Sequence, residues 1–405
     1  MICFFLTACS APDPDELGLF HKDKKPADNI PNNRDNSHPV IIPISTDNAP
    51  SFRENFAVAT EPEGFYVFGG NSSLQVHSSL YHFDAALNKW THDNLGGLLS
   101  PRLDSFMAIH GDLIFIWGGS SYNLAKQDRG DSFANGVIFN RITKQITYIP
   151  STLASSPSAR YQGSIAYFNE RFCLFGGINQ GVYLSGLYCF DPIAFSWHSA
   201  EDAQAIHPRI NAFVVPYKDT LLIAAGRNLD ALSDAYLVDE DNSVRQILKN
   251  DELVARYKPL LTLKDDVLIM GGGFREEGIL ELYVAEIRFP APEWVKATSR
   301  DAWSFYANPT LEIRGGLHAD FGICEQLNTS TKLNWFIAVT ESQRYISEIV
   351  CFKLIDGIVE TRRSNQLTAS EKNLVSLRLL STRNYLINFG FTVKSGLSGF
   401  FIEAL

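Results

Sequence analysis

Leu113-Ile-Phe-Ile-Trp-Gly-Gly119 is a short apolar run closed by a pair of glycines, and the chain repeats it. Phe65-Tyr-Val-Phe-Gly-Gly70, Phe172-Cys-Leu-Phe-Gly-Gly177, Leu221-Leu-Ile-Ala-Ala-Gly226 and Val267-Leu-Ile-Met-Gly-Gly272 carry the same pattern. Runs this short, rich in β-branched and aromatic residues and stopped by turn residues, read as strands rather than helices. An arginine stands at a nearly fixed distance before each. Arg53 lies 16 positions before Gly69, and the same gap separates Arg102 from Gly118, Arg160 from Gly176, and Arg209 from Ala225; Arg256 lies 15 before Gly271. Tyr81, Tyr188, Tyr236 and Tyr283 follow their arginines by 27 or 28 residues, and Trp90 and Trp197 follow their tyrosines by nine.

Working outward, a second apolar run precedes each glycine-ended strand: Phe56-Ala-Val-Ala59, Phe106-Met-Ala-Ile109, Ile165-Ala-Tyr167 and Phe213-Val-Val215. Turn residues separate the two, as in His110-Gly-Asp112 and Lys218-Asp219. Each unit therefore reads as a four-stranded antiparallel meander, strands a to d, with the glycines ending strand b. The glycine pair, the strand-c tyrosine and the strand-d tryptophan resemble the kelch family, whose repeat of about 50 residues forms one blade of a β-propeller. Glycine suits such a position because it admits backbone conformations closed to other residues and allows close approach of neighbouring chain.

Two weaker copies follow, Leu333–Val339 with Ile349–Phe352, and Tyr385–Gly390 with Gly399–Ile402; both lack the arginine and the full glycine pair. The last copy has no strand d of its own. Pro39-Val-Ile-Ile-Pro-Ile44 resembles the strand d at Ile146-Thr-Tyr-Ile-Pro150, so an N-terminal strand is expected to complete the last blade and close the ring, removing two exposed edges. Residues 39–405 divided among seven blades give about 52 each, close to the family period, whereas six would need about 61. The expectation is an all-β, seven-bladed kelch-type β-propeller, with six blades as the alternative.

Composition narrows the function. The net charge is −10, which argues against a nucleic-acid partner, since phosphates call for a basic face. No apolar run reaches membrane-spanning length. Met1-Ile-Cys-Phe-Phe-Leu-Thr-Ala-Cys9 resembles the end of a bacterial lipoprotein signal, with Leu6-Thr-Ala-Cys9 as its lipobox. That resemblance implies residues 1–9 as a signal remnant, lipidation at Cys9, and attachment to the envelope, in the outer membrane, through that anchor alone. The basic stretch expected before such a run is missing, as it would be if the true start lay upstream. Residues 10–38, rich in Pro, Asp, Asn and Lys, suit a flexible tether, which leaves 39–405 as the propeller. Cys173 and Cys189 fall on adjacent strands of one blade, so a disulfide is conceivable there. The four cysteines outside the signal read more simply as small buried hydrophobes.

Antiparallel alternation puts all b–c and d–a connections at one end of the blades, and all five arginines fall there. Two connections at that end are long: 120–135, with Tyr122, Asn123, Lys126, Asp128 and Arg129, and 296–319, with Arg300, Trp303, Tyr306 and His318. Long loops on a rigid scaffold concentrate binding residues. Arg53, Arg102, Arg160, Arg209 and Arg256 would suit an anionic ligand, because guanidinium grips carboxylates bidentately; Tyr122, Trp303 and Tyr306 could stack on a sugar ring. The other reading of the arginines is architectural, with each bonding carbonyls of the next blade. No Gly-x-Ser-x-Gly elbow, phosphate loop or HExxH motif occurs, and no histidine or cysteine pair has convincing metal-ligand spacing. Asp239-Glu-Asp-Asn242 reads as a solvated c–d turn.

The function expected from these residues is a lipid-anchored envelope binding protein, acting as a monomer without cofactor or metal. It would take an anionic glycan or an envelope protein on the arginine-bearing face. Two alternatives stay open: a sugar-modifying enzyme of the sialic-acid mutarotase or epimerase kind, and a protein-assembly scaffold. An acid or base converging on the arginines would favour the enzyme, and exposed apolar loop tips the scaffold.

Overall fold

The structure is a computed structural model, and it describes residues 41–257, 259–264, 266–271, 282–296, 298–299, 312–313, 334–341, 345–355, 358–364, 375–381, 385–392 and 396–403. The chain divides into two units, Met1–Ser37 and His38–Leu405. The first, with Cys9, lies outside the described residues.

Among the described residues the second unit holds seven blade sheets, each with antiparallel strands a–d. Blade 1 is Ala57–Glu61, Gly64–Phe68, Leu80–Asp84 and Lys89–Asp93; blade 2 is Phe106–His110, Leu113–Trp117, Gly136–Asn140 and Ile146–Ile149. Blade 3 is Ser164–Phe168, Arg171–Phe175, Leu187–Asp191 and Ser196–Ala200; blade 4 is Phe213–Tyr217, Thr220–Arg227, Ala231–Asp239 and Val244–Leu248. Blade 5 is Leu260–Lys264, Val267–Gly271, Leu282–Glu286 and Val295–Lys296. In blade 6, Glu312–Ile313, Asn334–Glu341, Tyr345–Ile355 and Ile358–Ser364 follow in order, and Thr298–Ser299 adds a parallel fifth strand beyond strand d. Blade 7 is Val375–Ser381, Tyr385–Thr392 and Gly396–Glu403. Its fourth strand is Ile41–Pro43, paired Ile41↔Ile402 and Pro43↔Phe400. The N-terminal strand thus completes the last blade, as its likeness to the strand d at Ile146–Pro150 suggests.

Every strand b of blades 1–4 is buried on both sides, which explains why its sequence is continuously apolar instead of alternating. Phe65 and Val67 face Ile387, Phe389 and Phe391 of blade 7, with the Phe65 and Phe389 rings stacked at 4.6 Å. Tyr66 and Phe68 point the other way, to Ile114 and Ile116 of blade 2. Phe115 and Trp117 meet Phe172 and Leu174 of blade 3; Cys173 and Phe175 meet Leu221 and Ile223 of blade 4; Leu222 and Ala224 meet Leu268 of blade 5. Successive residues alternate between the two neighbours, as the two-residue period of a strand requires. Each such side chain contributes about 1.5–3 kcal/mol of burial, so the core is a stack of sheet-to-sheet interfaces. Polar links reinforce one of them: the Glu61 carboxylate of blade 1 accepts from His82 and from Arg141 of blade 2, and Lys144 donates to Asp93 at 2.7 Å. The a strands of blades 1–4 neighbour one another, which makes them the inner wall. The strand-d tryptophan has an anchoring role as well, because Trp90 Nε1 donates to the Ser45 carbonyl just beyond the N-terminal strand.

Candidate functional site

The five repeated arginines lie inside the blades. Arg53, Arg102, Arg160, Arg209 and Arg256 are each at most 2% exposed. The same bonds recur around each guanidinium. Nε donates to the carbonyl two residues back: Ser51, Ser100, Ser158, His207 and Val254 in turn. Nη1 donates to the carbonyl that ends strand b of the same blade, at Gly69 (3.2 Å), Gly118 (3.0 Å), Gly176 (3.1 Å) and Ala225 (2.9 Å). An aromatic ring covers the planar face: Tyr81, Phe133, Tyr188, Tyr236 and Tyr283, with centroids 4.2–5.6 Å away. The 16-residue spacing therefore records a bond between its two ends, and the strand-c tyrosines serve as arginine platforms. In blade 4 the buried Asp234 adds a bidentate pair to Arg209. Burial pushes Arg53 and Arg102 down to about 10, so both keep their charge at neutral pH, and it lowers Arg160 in the same direction.

The expected partners of an architectural arginine were carbonyls of the next blade. The side chain instead bonds within its own blade, and the arginine backbone makes the link between blades. Arg102 N donates to His77 O, and Arg102 O accepts from Gly70 N at 2.9 Å; Arg160 pairs likewise with Phe133 and Gly119, and Arg209 with Leu184 and Gly177. That approach explains the first glycine of each pair. Gly69, Gly118 and Gly176 have φ of +67° to +69°, and a Cβ there would sit 2.4–2.7 Å from the carbonyl oxygen of Arg102, Arg160 or Arg209.

Two positions after Arg53, Arg102, Arg160 and Arg209 stands a residue that sequence reasoning missed. Asn55, Asp104, Gln162 and Asn211 all have positive φ, 47–57°. Their backbones form a chain from blade to blade: Asp104 N donates to Asn55 O, Gln162 N to Asp104 O, and Asn211 N to Gln162 O. The signal was an Asn, Asp or Gln in the same slot, residue types that tolerate the left-handed conformation or bond locally.

Above this chain rises the 120–135 connection, which is no irregular loop but a second hairpin, Ser120–Asn123 with Asp128–Ser132. It carries a guanidinium that does reach the surface. Arg129 pairs with Asp104, donates to Ser120 Oγ at 3.0 Å and lies 4.7 Å over the Tyr161 ring; Gln162 Nε2 donates to the same Asp104 oxygen at 3.1 Å. Tyr122 is half-buried on this hairpin, apart from the five repeated arginines. Trp303 and Tyr306 lie outside the described residues.

The b–c connections of blades 1, 3 and 4 each hold an aliphatic residue open to solvent, whereas the blade 2 hairpin exposes Lys126 and Asp128 at its tip. Leu74 in blade 1 is 86% exposed, Val182 in blade 3 62%, and Leu229 in blade 4 83%; Leu253, on the connection from blade 4 to blade 5 at the same end, is 72% exposed. The opposite end also exposes apolar residues, Leu87, Ile142, Ile193 and Phe289. There they sit among charged turns such as Asp84, Arg141, Lys144, Asp191 and Asp239–Asp241. Cys173 and Cys189, directly opposite on strands b and c of blade 3, form a disulfide. This corrects the simpler reading of both as buried thiols: cross-strand partners on one face bring their Cβ atoms within bonding reach.

The repeats seen in the fold recur in comparison with known proteins. A family model described as the KLHDC2/KLHL20/DRC7 Kelch-repeats domain matches residues 55–273, more than half of the 405 residues. The chain belongs to the kelch-repeat family. The matched span begins at strand a of blade 1 and ends at the glycine pair of blade 5, so it takes in every glycine-ended repeat that the sequence quotes in full. This kelch chain is also similar to Tip elongation aberrant protein 1 of Schizosaccharomyces pombe, 29% identical over 128 residues, or 31% of this chain and 11% of that protein. The similarity thus spans about a tenth of that relative's length.

Proposed function

We propose that this kelch propeller is a protein-docking module that receives its partner on the end carrying the b–c and d–a connections. The observation that carries the reading is the row of exposed aliphatic tips, Leu74, Val182 and Leu229, on b–c connections, joined by Leu253. Side chains held in water at the ends of rigid strands gain free energy when a partner covers them. An anionic glycan, or a sugar-modifying activity at the same mouth, would draw on guanidinium groups facing solvent. The five repeated arginines are instead enclosed by carbonyls and aromatic rings, so we assign them to blade architecture. The test is crosslinking of the full-length protein in its native cells. The reading expects one partner captured by the wild type and lost from the Leu74→Asp, Val182→Asp, Leu229→Asp triple variant, with an unchanged circular-dichroism spectrum. Equal capture by both proteins rejects it.

We further propose that the chain works outside the cytoplasm, attached to an envelope membrane by lipid on Cys9. The Cys173–Cys189 disulfide supports this, since such bonds persist in oxidising compartments, and it agrees with the lipobox-like Leu6-Thr-Ala-Cys9. Mass spectrometry of the N-terminal peptide checks it. A diacylglyceryl group on Cys9, and release of Cys9→Ala into the soluble fraction, is expected; an unmodified Cys9 in the mature protein counts against it.

A further inference from the structure

Among the described residues, blade 7 is the one blade whose strand d has no turn tying it to strand c, because Ile41–Pro43 reaches Gly396–Glu403 from the other end of the chain. It is three residues long, where strand d of blades 1–4 has four or five, and Pro43 brings no N–H to the ladder. A clip from blade 1 holds it. Asn88, in the c–d turn at φ +47°, accepts from Ser45 N at 2.8 Å and donates to the Pro43 carbonyl at 3.0 Å. Two residues on, Trp90 Nε1 donates to the Ser45 carbonyl at 2.9 Å. Between these bonds Ile44 N donates to Gly399 O at 3.0 Å, and the Ile44 side chain is buried in one cluster with Trp90 and Phe389. The equivalent turns lack this arrangement. In blade 3 the two positions are Phe195, also at positive φ (+51°), and Trp197, whose buried Nε1 has no partner among the described residues. In blade 2 Lys144 holds the turn position and reaches a side chain, Asp93. The Trp90 bond is thus no requirement of the repeated tryptophan; it belongs to the place where the last blade meets the first.

We infer that Asn88 and Trp90 form a latch at this junction, and that blade 7 opens apart from the other blades when the latch is released. In blades 1–4 a short turn keeps a peeled strand d beside its strand c, so little entropy opposes re-pairing. The N-terminal strand has no such turn, and its attachment runs through Ser45 into blade 1. Peeling from Ile41 breaks the ladder at Ile41↔Ile402 first and meets the clip last, at Pro43 and Ser45. While the clip holds, the strand stays within reach of Gly396–Glu403. Once it goes, the strand c edge is left uncovered along Phe400-Phe401-Ile402, and an open edge of apolar sequence is a template for pairing with other chains. The latch therefore joins the N-terminal segment to the blades: a pull on the residues before Ile41 loads blade 7 first and is stopped at blade 1.

The experiment is hydrogen–deuterium exchange of the full-length protein, read by peptide mass spectrometry, in wild type, Asn88→Gly, Trp90→Phe and Trp197→Phe. Glycine keeps the positive φ of position 88 while removing both side-chain bonds. Trp197→Phe removes an indole that makes no such bond, and so controls for lost ring packing. Each bond is worth up to about a factor of ten, and exchange reads local opening directly. Amides of residues 41–45 and 396–403 are expected to exchange about tenfold faster in Asn88→Gly and Trp90→Phe, with blade 3 peptides at the wild-type rate. Trp197→Phe leaves 41–45 and 396–403 unchanged. Asn88→Gly, in a turn outside the core, keeps the test open should Trp90→Phe fail to fold. Wild-type exchange at 396–403 in the latch variants, equal acceleration in every blade, or the same acceleration of 396–403 in Trp197→Phe overturns the inference.

Discussion

Replacing Arg102 by Ala takes out a side chain with no exposed surface and strips donors from five acceptors: the carbonyls of Ser100, Gly118 and Asn135, the Asn135 side chain and Ser100 Oγ. It also uncovers the Phe133 ring, 4.2 Å from the guanidinium. Bonds to a charged donor are individually worth about 1.5–3 kcal/mol but do not add; losing one member of a buried charged network costs about 3–5 kcal/mol. Taking about 4 kcal/mol, and an unfolding entropy of about 2.1 cal/mol/K per residue over the His38–Leu405 unit, the midpoint falls by about 5 °C. Arg102→Lys keeps the charge but lacks the planar fork that reaches both Ser100 and Gly118, so it recovers only part of the loss. Differential scanning calorimetry of wild type, Arg102→Lys and Arg102→Ala provides the assay. A midpoint for Arg102→Ala within about 1 °C of wild type would refute the reasoning, because a guanidinium that can be removed without cost is not holding a blade.

Gly118→Ala places a Cβ 2.7 Å from Arg160 O at φ +67°, whereas Gly111→Ala, at φ +54° with nothing within 4 Å, carries only the conformational penalty. The first should cost about 2–4 kcal/mol and the second about 1 kcal/mol in urea unfolding. Joint replacement of Cys173 and Cys189 by Ala opens a loop of 16 residues' separation and should cost about 3 kcal/mol, or about 4 °C, in the calorimeter. His77 is buried beside Arg53, which lowers it from 6.5 to about 4; the folded state resists the proton that the unfolded chain accepts. Stability is therefore full above pH 6.5 and declines as pH falls toward 4. His77→Gln should flatten that part of a midpoint-against-pH curve, and an unchanged curve would assign the decline to other groups.

Much of the blade framework was legible because its period is chemical. The interval between Arg102 and Gly118 is the path from a guanidinium, along strand a, round a turn and back up strand b, to the carbonyl it binds. Selection on that bond keeps the spacing, and the spacing exposes the blade. What spacing does not encode is direction. An arginine at a strand end satisfies the same interval whether its guanidinium turns into the blade or toward the mouth, and only the geometry of the covering ring decides. Phe133 illustrates the gap: it replaces the strand-c tyrosine of blade 2 as the platform for Arg102, yet it comes from the b–c connection, outside the repeat's register. The disulfide was hidden similarly, since residues 16 apart in sequence become directly opposed only once strands b and c pair at Cys173↔Cys189. The apolar tips were readable as letters, but their exposure depends on the Leu74, Val182 and Leu229 turns standing clear of the sheets.

Whether the repeated arginines are enclosed is tested most directly by phenylglyoxal labelling of the folded full-length protein, followed by peptide mass spectrometry. The account predicts that Arg288 and Arg171, whose side chains are 56% and 36% exposed, acquire adducts. Arg53, Arg102, Arg160, Arg209 and Arg256 should remain unmodified until denaturant unfolds the chain. Adducts on Arg102, Arg160 or Arg209 at the rate of Arg288 in native buffer would contradict it, and would return those guanidinium groups to the mouth of the propeller as ligand contacts.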